Sequence, residues 1–157
     1  PVDPNIMRQP PRPTNEGVIT RSRALLMLFQ GGFIALCCLL AFSFVLYVEK
    51  GGLGRARTAA FIVLSCSQLF HAFNCRSTTE SLFKIGILTN KKLILATAVS
   101  FLVQMVVVYV PVLQKIFKTE PLGGFDWFLV VAISSFPLWA MEIVKKINQR
   151  VKLIKAT

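Results

Sequence analysis

Hydrophobic and polar positions along this chain alternate on the scale of whole helices. Four long uncharged runs are separated by short segments in which charged residues, glycine and proline concentrate. Residues 24–48 supply 25 uncharged positions, the interval between Arg57 and Arg76 supplies 18, residues 93–114 supply 22 and residues 127–141 supply 15. At 1.5 Å rise per residue, about 20 residues cross the ~30 Å hydrocarbon core of a bilayer. The pattern therefore predicts an all-α, transmembrane four-helix bundle over residues 21–157, with spans at about 24–48, 58–75, 93–114 and 126–144. The last run is short for a span, so Glu142, Lys145 and Lys146 are expected at the far interface or snorkelling to it. Residues 1–20 hold five of the eight prolines and read as an extended loop before the first helix.

Helical spacing assigns faces to these runs. Residues three, four and seven apart share a side, so Ser65, Gln68, Ala72 and Cys75 form one stripe of the second helix with Phe61 above it. Gln68 falls near mid-depth, where an unpaired amide is costly, and the stripe is expected to face other helices. Two roles fit Gln68: interhelical glue, or a residue bordering an ion path. In the first helix Gly31, Ala35 and Cys38 make a small-residue stripe that would admit a close neighbour. Pro111 should end or kink the third helix, and Pro137 is tolerable if neighbours satisfy the freed carbonyl. The polar-ended segment 77–92, with its apolar centre, suggests a short interfacial stretch.

Composition supports this picture. The 157 residues are 54% hydrophobic, and the mean hydropathy is +0.62, values that point to a membrane protein. The net charge of +11 does not suggest nucleic acid, because the cations flank apolar runs and are not interleaved with stacking aromatics. Thirteen of the 18 Lys and Arg residues fall on the side of the termini and the 76–92 loop, against five on the other. The positive-inside rule then places both chain ends in the cytoplasm. Cys37, Cys38, Cys66 and Cys75 have no CxxC spacing and read as small buried hydrophobes. The seven carboxylates lie in loops or at span ends, so no mid-membrane acidic pair is expected. His71 reads as structural. No GxxxxGK[ST], GxSxG or HExxH motif is present, and nothing here would carry catalysis by this chain alone. The amino end has no apolar signal-peptide core and does not begin with Met, which suggests part of something longer.

Four separated stretches together resemble the carboxyl-terminal membrane region of P-type cation-transporting ATPases, the calcium-pump branch in particular. They are DPNIMRQPPR at 3–12, RTAAF at 57–61 with QLFHAFNCRS at 68–77, NKKL at 90–93 leading to QMVVVYVP at 104–111, and DWFLVVAISSFPLWAMEIVKK at 126–146. The first is similar to the family's cytoplasmic loop after its sixth membrane helix, where an aspartate, an isoleucine–methionine pair and a proline–proline–arginine recur. The others look like its eighth, ninth and tenth helices. Their order and spacing cover nearly the whole chain.

The resemblance implies that the four spans are helices seven to ten of a ten-helix pump. Its partners would be the lipid bilayer, helices one to six and the cytoplasmic domains. The parent pump would use ATP, Mg2+ and a transported cation, Ca2+ first among them, with no cofactor held by this chain. Asp3, Ile6, Met7, Pro10, Pro11 and Arg12 would form a loop that couples the membrane helices to the phosphorylation domain. Aligning AFN at 72–74 puts Gln68 where pumps with two calcium sites carry a glutamate. A neutral amide there resembles single-calcium pumps. Val99 and Ser100 stand where the sodium–potassium branch has acidic residues in the ninth helix, which argues against that branch. Two alternatives stay open: a free-standing four-helix membrane protein that anchors or binds a partner, and the same bundle from a pump of another cation.

Overall fold

The computed structural model describes residues 21–76 and 81–156, in which helices are the only regular structure. α1 (Arg21–Ser43) continues as one π-helical turn, Phe44–Val48. α2 spans Gly52–Asn74, and after a short α3 (Leu82–Ile85) and a 3-10 turn at Ile87–Thr89 come α4 (Lys91–Tyr109), α5 (Pro111–Phe117) and α6 (Gly124–Ala156). Three segments are long and apolar enough to cross a membrane: Ala24–Val48, Lys91–Tyr109 and Gly124–Ile147. α2 matches them in length but falls outside that set, since Gln68, His71 and Asn74 lower its hydropathy.

The more polar helix occupies the centre. α2 contacts α1, α4 and α6, and α1 also touches α6. Its inward face is built from Ala56, Ala59, Ile62, Val63 and Cys66, all buried, against Cys37, Ala41 and Val45 of the first helix and Val130 of α6. Alanine and cysteine at these contacts let backbones approach, which is how helices associate where no hydrophobic gradient drives them. Outward, Leu28, Leu36 and Leu39 of α1, Leu95, Leu102 and Val103 of α4, and Phe128, Trp139 and Ile143 of α6 are exposed. An apolar belt of that extent requires a lipid solvent, and the chain is a multi-pass integral membrane protein.

One small-residue expectation fails here. Gly31 and Ala35 are exposed, and a Cβ added at Gly31 would meet nothing within 4 Å. The stripe used instead is Ile34, Cys37, Ala41 and Val45, one step around the helix, where Cys37, Ala41 and Val45 join the core residues of α2 and α6. The Ser65–Gln68–Ala72–Cys75 stripe is left uncovered by the other described helices of this chain. Gln68 and Cys75 are exposed and Ser65 and Ala72 half-buried, while the opposite face of α2 makes the contacts. Cys75 is thus no buried hydrophobe; its Sγ lies 3.4 Å from Nε2 of the half-buried His71.

The helix break at Pro111 has a local cause. Proline donates no N–H and forces the preceding residue out of helical geometry, and Val110 is extended at φ −82°, ψ 119°. Two carbonyls lose their helical donors and recruit side chains: Thr119 Oγ1 donates to Val107 O at 3.0 Å, and Gln114 Nε2 to Val108 O at 2.7 Å. At the start of α4, Asn90 accepts from Leu93 N at 3.1 Å as an N-cap. α6 passes through Pro137 without ending and reaches Ala156, and the part of it long and apolar enough to cross a membrane is Gly124–Ile147.

Candidate functional site

Two polar clusters close the ends of the bundle, and one uncovered helix face runs between them. At one end, Asp126 lies in the first turn of α6, where a carboxylate complements the helix dipole and free backbone N–H groups. Its Oδ2 accepts from Gly123 N at 2.7 Å and from Arg55 Nη2 at 2.6 Å, and the residue is wholly buried. The same Nη2 lies 3.5 Å from Glu49 Oε2. Glu49 belongs to the turn after the π-helix, in which Lys50 and Gly52 adopt positive φ, 53° and 83°. Burial and the neighbouring Asp126 carboxyl push the Glu49 carboxyl above the ordinary glutamate range, outweighing Arg55. Nearby, Glu120 N donates to Thr58 Oγ1 at 2.8 Å, and the Glu120 carboxyl lies over Gly54, where a side chain would collide with it. Trp127 Nε1 donates to Tyr109 Oη, which donates to Leu122 O, both at 2.8 Å, while its ring meets Phe101 edge-on.

At the other end, Glu142 of α6 is buried and gathers three donors. Leu82 N reaches Oε1 at 3.0 Å, Lys145 Nζ reaches the same oxygen at 3.2 Å, and Ser81 Oγ bonds Oε2. Lys145 is only 4% exposed and also donates to Asn74 O at 3.2 Å. Both side chains turn inward to partners within the bundle, Glu142 to the 81–82 segment and Lys145 to the end of α2. Arg76 holds the same connection through Gly86 O at 2.8 Å and Thr89 Oγ1 at 2.6 Å. The segment at 81–89 is therefore tucked under the bundle, with Leu82 buried. Asn74 is buried with both amide atoms lacking a hydrogen-bond partner.

Between the ends, Arg57, Leu64, Gln68 and Cys75 line the exposed stripe of α2. Among the described residues no group of three or more His, Cys, Asp or Glu side chains is placed to hold a metal. Asp3, Ile6, Met7, Pro10, Pro11 and Arg12 lie outside the described residues. Arg55, Asp126, Glu142 and Lys145 stand at the boundaries of the apolar runs, where the sequence reads them as flanking charges. A glycine pair ahead of Asp126 and the i, i+3 spacing of Glu142 and Lys145 were the available signals, but neither names a distant partner.

Comparison with known proteins gives these features a family. The profile described as "Cation transporting ATPase, C-terminus" matches residues 1–147. Calcium-transporting ATPase 1 of Bacillus cereus is 38% identical over 160 residues, covering 92% of this chain and 18% of that protein. Calcium-transporting ATPase 1 of Yarrowia lipolytica is 37% identical, covering 93% of this chain and 16% of its own length. Human calcium-transporting ATPase type 2C member 2 is 32% identical, covering 92% and 15%. The chain thus spans less than a fifth of each of these relatives, and a free-standing four-helix protein is not favoured. Its helices, its lipid-facing belt and a match over nearly its whole length place the chain in the family of cation-transporting ATPase carboxyl-terminal membrane regions.

Proposed function

We propose that this chain is the carboxyl-terminal membrane support of a P-type pump that couples ATP hydrolysis to calcium transport, one ion per cycle. The observation that carries the reading is the open face of α2. Gln68 is exposed there, in the second half of a helix whose other side is covered by α1, α4 and α6. A primary amide facing hydrocarbon is costly, so the stripe requires helices from elsewhere in the pump. All four helices cross the bilayer in this reading, α2 shielded from lipid on both sides. Both ends of the chain are cytoplasmic, as the distribution of 13 cations against five supports. Nucleotide and Mg2+ chemistry belong to the cytoplasmic domains of the parent, and relatives named as calcium-transporting ATPases support calcium as the cargo.

Gln68 can offer a carbonyl oxygen to an ion or hydrogen-bond a liganding side chain, but it adds no charge to balance a second divalent cation. Calcium-binding stoichiometry on the full-length pump tests this directly. One bound ion is expected, and two would refute the single-site reading. Gln68→Ala should weaken apparent calcium affinity by about 1–3 kcal/mol, the cost of a buried partner left unsatisfied. An unchanged affinity would return Gln68 to helix–helix contact alone.

The loop carrying Asp3, Ile6, Met7, Pro10, Pro11 and Arg12 is proposed to touch the phosphorylation domain, its prolines keeping a contact surface at low entropic cost. Arg12→Ala in the full-length pump should slow phosphoenzyme formation more than it lowers expression. Unaltered phosphorylation kinetics would make the loop a passive linker.

A further inference from the structure

At the Asp126 end of the bundle, buried carboxylates outnumber the cations that face them. Glu49, at the end of the first helix, and Asp126, at the start of α6, both approach Arg55 Nη2, at 3.5 and 2.6 Å. The Asp126 side chain is 0% exposed and that of Glu49 15%. Each acid keeps one oxygen buried without a partner, Oε1 of Glu49 and Oδ1 of Asp126. Arg55 from α2 is the cation facing them, Glu120 adds a further negative charge beside Arg55 from the connection before α6, and Lys50 is exposed on the turn. Two largely buried carboxylates sharing one cation do not both ionise cheaply. A single proton would turn one carboxyl into an O–H donor and satisfy both orphaned oxygens at once.

We propose that Glu49 and Asp126 form a proton-binding carboxyl pair, with one proton held between their partnerless oxygens and Arg55 balancing the remaining charge. The side chains are within hydrogen-bonding reach of each other, and burial followed by the Asp126 neighbour raises the Glu49 pKa. The proton ties together the end of the first helix, the start of α2 and the start of α6. When it leaves to bulk water, like charges face each other, and Glu49, the less buried member, turns outward. A glutamate whose folded pKa is raised contributes stability that is full below its unfolded pKa and is lost as pH rises through the folded value. This end of the bundle thus loosens toward higher pH, whichever ion the pump carries.

The test is infrared spectroscopy on the full-length protein in nanodiscs across a pH series, wild type against Glu49→Gln. A protonated-carboxyl band is expected in the wild type above the ordinary glutamate pKa and is absent from the Glu49→Gln protein. Wild-type Tm should fall by about 3 °C as pH rises through the same interval, whereas Glu49→Gln, which mimics the protonated pair, stays level. Glu120→Gln, which leaves both members of the pair in place, should keep the band. A band that survives in Glu49→Gln, or that disappears in Glu120→Gln, overturns the assignment. So does a wild type with no such band, a result that depends on no variant folding.

Discussion

Glu142→Ala is expected to destabilise the protein by about 3–5 kcal/mol, the range for removing one partner of a buried ion pair. The loss exceeds that of a deleted hydrogen bond because a buried ammonium and a buried backbone N–H lose the same carboxylate together. Lys145 would keep only the Asn74 carbonyl for an ammonium that is 4% exposed, and Leu82 N would be left buried without an acceptor. The visible result should be release of the 81–89 connection, read as faster amide exchange at Leu82 and Lys84 in the full-length protein. Lys145→Met on the same background should restore part of the stability, since it removes the uncompensated charge. A loss below about 1 kcal/mol would mean that water reaches Lys145 freely, and the clamp would have to be withdrawn.

Arg55→Met should cost about 3 kcal/mol, the low end of the same range, because a third of the Arg55 side chain already meets solvent while Asp126 meets none. The change leaves the Asp126 carboxylate with Gly123 N as its remaining donor, beside Glu49. Adding Asp126→Asn should recover most of the stability, a coupling that a thermal-unfolding double-mutant cycle measures. Additive effects would show that the two residues do not interact, despite the 2.6 Å contact. Because α2 and α6 make the most extensive helix contact in the chain, losing both end clusters should separate them sooner than either change alone.

The helices themselves were legible in the chain, since a run of uncharged residues long enough for a bilayer is a local property. The break at Pro111 was legible for a similar reason: a proline acts on its own backbone and on the residue before it. The four family stretches were legible too, being short patterns in a fixed order. What the local pattern does not decide is which face each helix buries within the chain. Gly31–Ala35–Cys38 and Ser65–Gln68–Ala72–Cys75 have the composition of helix contacts, yet neither is the face this bundle buries. The fourth span was expected at about 126–144 with Glu142 and Lys145 at or snorkelling to its interface, a pattern that does not name the partners that enclose both residues in α6. Helix formation depends on neighbours a few positions away. A buried charge depends on groups brought from far along the chain: Leu82 lies 60 residues from Glu142, and Arg55 lies 71 from Asp126. Only the packed arrangement of α1, α2, α4 and α6 decides which polar groups meet out of water.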